Sequence, residues 1–225
     1  GFHMTIDDWS ESIRTELPAM FARGISSFKM YMTYPAMLLG DRDLYWALKE
    51  LKTLGGVCGV HCENAGVIDG MIAEKKAAGE LSPASHPATR PPYLEAEAVA
   101  RLLRVAQAAE APVIIVHLTN GEALDEVLRA RKRGQTVYVE TCPHYLTLDE
   151  SLYHQDAFTD AARYVCAPPL RTSGNRTCCG RPSAGGISRP CPRITAPSRW
   201  SRRPWAGRTS PRFPAASPAW RPEES

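Results

Sequence analysis

The sequence predicts an α/β fold over residues 1–171, built from parallel strands that alternate with helices. Short apolar segments alternate with longer segments of helical periodicity, which is the order expected of strand–helix–strand units. The strand-like segments are almost continuously apolar, as expected where helices cover a parallel sheet. The few polar residues in these segments lie within or at the end of the apolar runs. This placement indicates that they share a functional site at one edge of the sheet.

Four segments have the length and composition of buried strands. They are short, apolar and rich in residues that favour extended backbone. We predict strands over residues 27–32, 57–61, 112–117 and 136–140.

Helical periodicity fills the stretches between these strands. In residues 41–54, for example, Leu44, Leu48 and Leu51 recur on one face. We predict helices over residues 8–23, 41–54, 65–78, 94–109 and 121–133.

The composition changes sharply after Arg171. Residues 172–225 hold ten Arg, no Lys, nine Pro and two Glu, a net charge of +8, whereas residues 1–171 carry −5. We therefore divide the chain into an α/β domain (1–171) and an irregular Pro/Arg-rich tail (172–225), which we expect to be disordered. The overall charge of +3 hides this split and does not predict specific nucleic-acid binding.

The seven cysteines show neither a disulfide framework nor zinc-finger spacing. The sequence has no signal peptide and no apolar run that could span a bilayer. These features predict a cytoplasmic protein with reduced thiols and no membrane contact.

Three polar residues mark the predicted strands. Lys29 lies within its strand, whereas His61 and His117 each end theirs and are followed by a short loop and a helix. In a (β/α)8 barrel the carboxyl ends of the strands gather at one active site, so these side chains are expected to meet. This placement favours half of a TIM-like barrel over an open sheet. The alternatives are a surface lysine and two unrelated buried histidines.

A buried lysine has a chemical use at such a site. Burial disfavours its charged form, and a neutral amine can add carbon dioxide to become a carbamate, whose two oxygens can each hold a metal ion. Histidine nitrogens suit zinc or similar ions. A water between two such ions is partly ionised near neutral pH and can attack an amide carbonyl.

Five segments resemble the hydantoinase/dihydropyrimidinase branch of the cyclic amidohydrolases. The stretch GISSFKMYMTY (24–34) is similar to that family's carboxylated-lysine strand, and VHCEN (60–64) and VHL (116–118) are similar to its two lone-histidine motifs. Two later landmarks are ETCPHYL (140–146) and CAPPLR (166–171). The resemblance covers residues 1–171 and implies a TIM-like barrel, two divalent metals, zinc favoured, and hydrolysis of a small cyclic ureide or imide.

The resemblance also implies roles for single residues. Lys29 would be the carboxylated bridging ligand, and His61 and His117 would each bind the second metal. The Tyr34 hydroxyl would stabilise negative charge that develops on the substrate carbonyl. The backbone near Ala167, where the family commonly has serine, would hold the ring. Intact members of the family often form homotetramers.

Two family features are missing from the sequence. No His-x-His pair occurs, and no metal-binding Asp follows the CAPPLR motif. We interpret the chain as a fragment whose reading frame shifts near the Arg171 codon. A shifted frame joins the last base of each codon to the first two bases of the next. In that frame, codons that can encode the residues from Arg171 onward can also encode Asp-Ile-Arg-Gln-Gln-Asp-Val-Leu-Trp. In the same shifted frame, the codons of residues 193–198 can encode Asp-His-Cys-Pro-Phe, and its aspartate would be the missing metal-binding Asp.

Two other functions fit the same motifs. An allantoinase-like ureide hydrolase shares the CPHYL string, although Tyr34 favours the hydantoinase side. A non-catalytic scaffold with this fold is the other alternative. For the 225-residue chain as written we predict no useful activity.

Overall fold

Residues 2–176 are described in a computed structural model, and their five strands form one sheet. The strands are β1 (Met4–Thr5), β2 (Ser27–Tyr31), β3 (Val57–His61), β4 (Val113–Ile115) and β5 (Val137–Val139). All four pairings are parallel, and the strands neighbour one another in chain order. A sheet wound in one direction without reversal is the arrangement of a (β/α)8 barrel, whereas a doubly wound sheet reverses its order. The predicted α/β fold and partial barrel are confirmed.

The five predicted helices are present, with ends that differ by at most three residues from the prediction. They are α1 (Glu11–Ala22), α2 (Asp41–Thr53), α3 (Ala65–Ala77), α5 (Pro92–Ala109) and α6 (Gly121–Lys132). Short helices that are too brief to show periodicity were not predicted: α4 (Ser85–Ala88), α7 (Pro143–Thr147), α8 (Phe158–Ala162), α9 (Ser173–Arg176) and a 3-10 turn (Glu150–Tyr153).

The main core lies between the helices and one face of the sheet. Phe28 and Met30 of β2, Val60 of β3 and Ile115 of β4 all point into it and are almost fully buried. They meet the apolar faces of α2, α5 and α6, whose leucines and alanines complete the same cluster. Burial of apolar surface on this single face fixes the register of the strands, because a slip by one residue would turn each strand over.

The other face of the sheet holds the candidate functional residues. A row of residues in register crosses it from edge to edge: Thr5, Lys29, Gly59, Ile114 and Tyr138. Tyr31 and His61 pair in the next row toward the carboxyl ends of the strands. Tyr138 is half-exposed on this face, whereas its neighbours Val137 and Val139 are buried on the other. The sheet therefore has one packed face and one accessible face.

Two strand predictions needed correction. The two-residue strand β1 was not predicted, because it is too short for a periodic signal and is defined by its pairing with β2. The strand predicted to run to His117 ends at Ile115 instead. His117 has a backbone φ of +41°, a left-handed conformation that an extended strand does not contain.

A small second core closes the C-terminal part of the described chain. Tyr145, Tyr153 and Leu170 are buried together, and the Tyr145 hydroxyl donates a hydrogen bond to the Pro168 carbonyl at 2.6 Å. Arg171, the last residue of the predicted domain, is also buried. Nearly all of the predicted basic tail lies outside the described residues. Within residues 2–176, no helix is both long and apolar enough to cross a membrane.

Candidate metal centre

Lys29, His61 and His117 come together on the accessible face of the sheet. The distance from Lys29 Nζ to His117 Nε2 is 3.4 Å, and that from His61 Nδ1 to His117 Nε2 is 3.0 Å. Lys29 and His61 are 8% and 2% exposed. Three nitrogen atoms from three neighbouring strands or strand ends thus share one small volume.

The two histidines are presented by the same local structure. Each is followed three residues later by an asparagine, Asn64 or Asn120, that caps the next helix by accepting a hydrogen bond from its third residue. The side-chain amides of these caps are held in turn by α5. Asn64 donates to Glu97 and Asn120 donates to Glu95, each at 2.7 Å. One helix therefore holds both of the loops that follow the histidines.

His61 is also fixed by contacts from outside its own strand. His61 Nε2 lies 2.7 Å from Glu63 Oε2, and the same carboxylate oxygen accepts a hydrogen bond from Arg90 Nη1 at 3.2 Å. Glu63 is 1% exposed. Burial acts to raise the pKa of Glu63, but the hydrogen bond from His61 and the positive charge of Arg90 outweigh it and leave the pKa below its ordinary value. His61 thus rests against a buried, ionised carboxylate.

The site disfavours positive charge. Burial is the main reason that the pKa of Lys29 falls from 10.5 to about 8. Burial, with Lys29 and His61 close by, lowers the pKa of His117 to about 2. At neutral pH His117 is therefore a neutral imidazole, the form in which histidine binds metals, and Lys29 is far more easily deprotonated than a surface lysine.

The separations between these nitrogens fit a metal ion. Two nitrogens that share a tetrahedral ion, each about 2.0–2.1 Å from it, lie a little over 3 Å apart, close to the 3.0 Å between the histidines. Among residues 2–176, however, no three His, Cys, Asp or Glu side chains are grouped to hold a metal. Lys29 is the third polar side chain at this point, and it would offer oxygen atoms to a metal only if it were carboxylated.

Tyr34 packs beside the same group. Its ring centroid is 5.1 Å from that of His61, and its backbone φ is +67°, a conformation that is uncommon for a bulky residue. Burial, with the negative charge of Glu63 nearby, raises the pKa of its hydroxyl to about 12. Tyr34 and His117 are both left-handed, and non-glycine residues in such conformations cluster at functional sites.

Ala167 is half-buried in the CAPPLR segment and precedes a cis peptide bond to Pro168. Its neighbour Cys166 is anchored by His86, whose Nε2 donates to the Cys166 carbonyl at 2.7 Å. The contacts described around Lys29, His61 and His117 do not include Ala167, so its substrate-binding role stays a prediction.

Sequence reasoning missed a buried polar network that ties Arg171 to the His117 loop. Arg171 Nη2 lies 2.9 Å from Glu95 Oε2, and Arg171 Nε donates to Thr119 Oγ1 at the same distance. Glu95 also accepts hydrogen bonds from the backbone N–H and the hydroxyl of Thr119. The missed signal was the position of Glu95, which lies at helical spacing from Ala98, Val99 and Leu102 on the apolar face of the predicted helix, where a carboxylate requires a buried partner.

Two further predictions concern the cysteines. Cys62 follows His61 but is buried in the apolar core on the other face of the sheet, as adjacent strand residues should be. Cys58, Cys62, Cys142 and Cys166 are all free thiols.

Sequence comparison relates the chain to hydantoinases. It is 43% identical over 172 residues to a D-phenylhydantoinase from Escherichia coli. The aligned region covers 76% of this chain and 36% of that protein. The chain thus spans little more than a third of the length of the curated relatives it matches. No protein-family model matches it.

Solved structures give the same relationship. A D-hydantoinase from Bacillus sp. AR9 superposes with a TM-score of 0.76 at 36% identity, over 79% of this chain and 39% of that one. A dihydropyrimidinase from Brevibacillus agri superposes with a TM-score of 0.76 at 35% identity, over 78% of this chain and 38% of that one. These matches reinforce the partial barrel inferred from the strand order.

Proposed function

Because the chain belongs to the hydantoinase/dihydropyrimidinase family, we propose that it is part of a metal-dependent hydrolase that opens the cyclic amide bond of dihydropyrimidines or hydantoins. The observation that carries the proposal is that three side-chain nitrogens lie close together. His117 Nε2 is 3.4 Å from Lys29 Nζ and 3.0 Å from His61 Nδ1. Small cyclic ureides and imides are the substrate class, as the names of the relatives suggest for those proteins.

Lys29, once carboxylated, and the two histidines would hold the metal ions. The ammonium group of Lys29 would first lose a proton, and the neutral amine would then attack the carbon of carbon dioxide and release a second proton, so that a buried cation becomes a carbamate anion with two ligand oxygens. The neutral imidazoles of His61 and His117 supply nitrogen ligands that suit zinc. When bound, two such ions lower the pKa of a shared water enough to supply hydroxide near neutral pH.

Tyr34 would orient the substrate and stabilise developing charge. Its hydroxyl stays protonated at any physiological pH, because burial and Glu63 raise its pKa to about 12. A protonated phenol beside His61 can donate a hydrogen bond to a carbonyl oxygen that gains negative charge. Backbone groups around Ala167 would hold the other side of the ring.

The function is tested by turnover. The 225-residue chain has no His-x-His pair, and we expect it to be inactive. A protein extended to its relatives' length, with the frame restored, should hydrolyse dihydrouracil or hydantoin and bind about two zinc ions per chain. Preferential hydrolysis of allantoin would favour the allantoinase alternative. Absence of both turnover and metal would favour a scaffold.

Within that test, Tyr34→Phe separates the role of the tyrosine hydroxyl in catalysis from the binding of metal ions. It should lower kcat of the extended protein by about 10²–10³-fold, the cost of losing one hydrogen bond to a developing oxyanion, and leave the metal content unchanged. Tyr93→Phe, an exposed tyrosine on α5, is the matched control. Equal activity of Tyr34→Phe and the wild type would exclude the role given to this hydroxyl.

We propose that one nucleotide has been lost near the Arg171 codon, so that the tail is read in a different frame from the α/β domain. Arg171 is buried, whereas Thr172, Ser173 and Gly174 that follow it are exposed. Sequencing of the coding DNA tests this directly. If one restored base opens no family-like frame with a metal-binding Asp, the frameshift is wrong.

We also expect the extended protein to be cytoplasmic and homotetrameric. The four free cysteines of the described residues suit a reducing compartment. Cell fractionation and native mass measurement test the two expectations separately.

A further inference from the structure

We propose that Glu63 is a positioning residue that fixes the tautomer of His61, so that its Nδ1 lone pair faces Lys29 and His117. The consequence for metal binding rests on the function proposed above. The assignment of the tautomer does not, because it follows from the hydrogen bonds of the chain itself.

The first step is the contact between His61 and Glu63. His61 Nε2 and Glu63 Oε2 are 2.7 Å apart, and the two side chains are only 2% and 1% exposed. Arg90 Nη1 lies 3.2 Å from the same oxygen, so a fixed positive charge keeps the carboxylate ionised. An ionised carboxylate can only accept hydrogen bonds. The proton on His61 must therefore be on Nε2.

The second step concerns the other ring nitrogen. With its proton on Nε2, a neutral His61 has a lone pair on Nδ1, and this atom is 3.0 Å from His117 Nε2. The ring is also confined by aromatic neighbours, since Tyr31 stacks on it with centroids 5.9 Å apart and Tyr34 packs at 5.1 Å. The lone pair is thus aimed at the point where Lys29 and His117 meet.

His117 provides an internal comparison. Among residues 2–176, no other residue forms a hydrogen bond to His117 Nδ1. The orientation of His117 depends on its left-handed backbone and on the Glu95–Thr119 contacts that follow it. Only His61 has a carboxylate that sets its tautomer, the arrangement that tunes many metal-binding histidines.

Long-range ¹H–¹⁵N NMR of the metal-free 225-residue chain near neutral pH tests the proposal. In the wild type we expect His61 to carry its proton on Nε2. In Glu63→Gln the neutral amide can accept from or donate to the ring, so both tautomers should appear. A wild-type His61 protonated mainly on Nδ1 would overturn the proposal, and this result does not require any variant to fold.

Two control variants separate positioning from general damage. Glu95→Gln removes a carboxylate that is equally buried and paired with Arg171, and Glu97→Gln removes one that holds Asn64 of the same loop. Neither contacts His61, so both should retain the wild-type tautomer. If either shifts the tautomer as much as Glu63→Gln does, the effect of Glu63 is structural and the proposal fails.

Titration with Co²⁺ gives a second readout. Loss of an orienting partner typically weakens metal affinity by about 10–100-fold, and we expect Glu63→Gln to bind Co²⁺ more weakly by that factor. Unchanged affinity in Glu63→Gln would contradict the proposal. If the wild-type chain binds no Co²⁺, the metal site of the proposed function is in question, and the tautomer measurement still decides the role of Glu63.

Discussion

Lys29 Nζ lies 3.4 Å from His117 Nε2, although the two residues are 88 positions apart in the chain. Parallel strands create this proximity, since β2 and β4 flank β3 and their carboxyl ends share one edge of the sheet. A lysine placed there is largely buried and contacts the imidazole of His117, and the charge of Glu140 only partly offsets the effect of burial on its pKa. Burial lowers the pKa of Lys29 to about 8, so the neutral amine, the only form of lysine that reacts with carbon dioxide, is far more accessible than in a surface lysine.

The first prediction concerns carboxylation of Lys29. Its pKa of about 8 leaves about a tenth of the side chain neutral at pH 7, far more than for an ordinary lysine. At a fixed pressure of ¹³CO₂, a carbamate signal should grow between pH 7 and 9 and vanish in Lys29→Arg. It should persist in Lys49→Arg, an exposed lysine on α2. A signal that survives Lys29→Arg would show that other amines carry the label.

The second prediction concerns the close packing next to Lys29. Gly59 pairs in register with Lys29, and a Cβ at this position would lie 2.7 Å from Val116 Cγ1. Gly59→Ala should therefore lower the free energy of unfolding by about 1–3 kcal/mol, as overpacking of a core does. Urea denaturation measures the loss.

Two variants control this experiment. Val116→Ala in the Gly59→Ala background should recover part of the loss, because it removes the clashing methyl group. Gly70→Ala lies inside α3 with nothing within 4 Å and should stabilise the protein by about 0.5–1 kcal/mol. A destabilising Gly70→Ala, or no recovery in the double variant, would refute the steric explanation.

The strands and the three central side chains were predictable from sequence because they depend on local pattern. Apolar runs define β2, β3 and β4, and a polar residue at the end of such a run has few structural explanations. The exact end of β4 was not predictable, since the left-handed backbone of His117 is imposed by the contacts of its loop.

The polar network behind the histidines was not predicted because, apart from Glu63, its members come from distant parts of the chain. Arg90 precedes α5, Glu95 lies on it, and Arg171 ends the CAPPLR motif. Only packing shows that they meet. His86 illustrates the same limit, since a histidine in a proline-rich segment gives no sign in the sequence that it is half-buried and donates to the Cys166 carbonyl.

The third prediction is a pH dependence that arises from His86. Burial lowers the pKa of His86 to about 4, and the hydrogen bond to the Cys166 carbonyl only partly opposes this. Between pH 6.5 and 4 the unfolded chain binds a proton that the folded chain does not, so stability falls as pH decreases through this window. The loss should be on the order of 3 kcal/mol.

Replacement of His86 by glutamine isolates this contribution. Glutamine can still donate to the Cys166 carbonyl but does not titrate, so His86→Gln should flatten the stability profile between pH 6.5 and 4. His154→Gln replaces an exposed histidine and should leave the slope unchanged. Parallel profiles for the wild type and His86→Gln would mean that another group controls the acid sensitivity.

The fourth prediction concerns the buried ion pair between Glu95 and Arg171. Their side chains are 2% and 4% exposed, and Glu95 also holds Thr119 and the Asn120 cap of α6. Arg171→Met leaves the carboxylate buried without its counter-charge, which should cost about 3–5 kcal/mol. The exposed pair between Arg101 and Glu97 is the matched comparison, and Arg101→Met should cost at most about 1 kcal/mol.

A double-mutant cycle assigns the cost of Arg171→Met to its cause. If the penalty comes from the unpaired charge, Glu95→Gln should remove much of it, and the two changes together should cost clearly less than their sum. Additive effects in urea denaturation would show instead that Arg171 stabilises the fold through its other contacts, with Thr119 and the Arg90 carbonyl. Because Glu95 also fixes the loop after His117, a coupled result would link the C-terminal end of the described domain to the geometry of the metal centre.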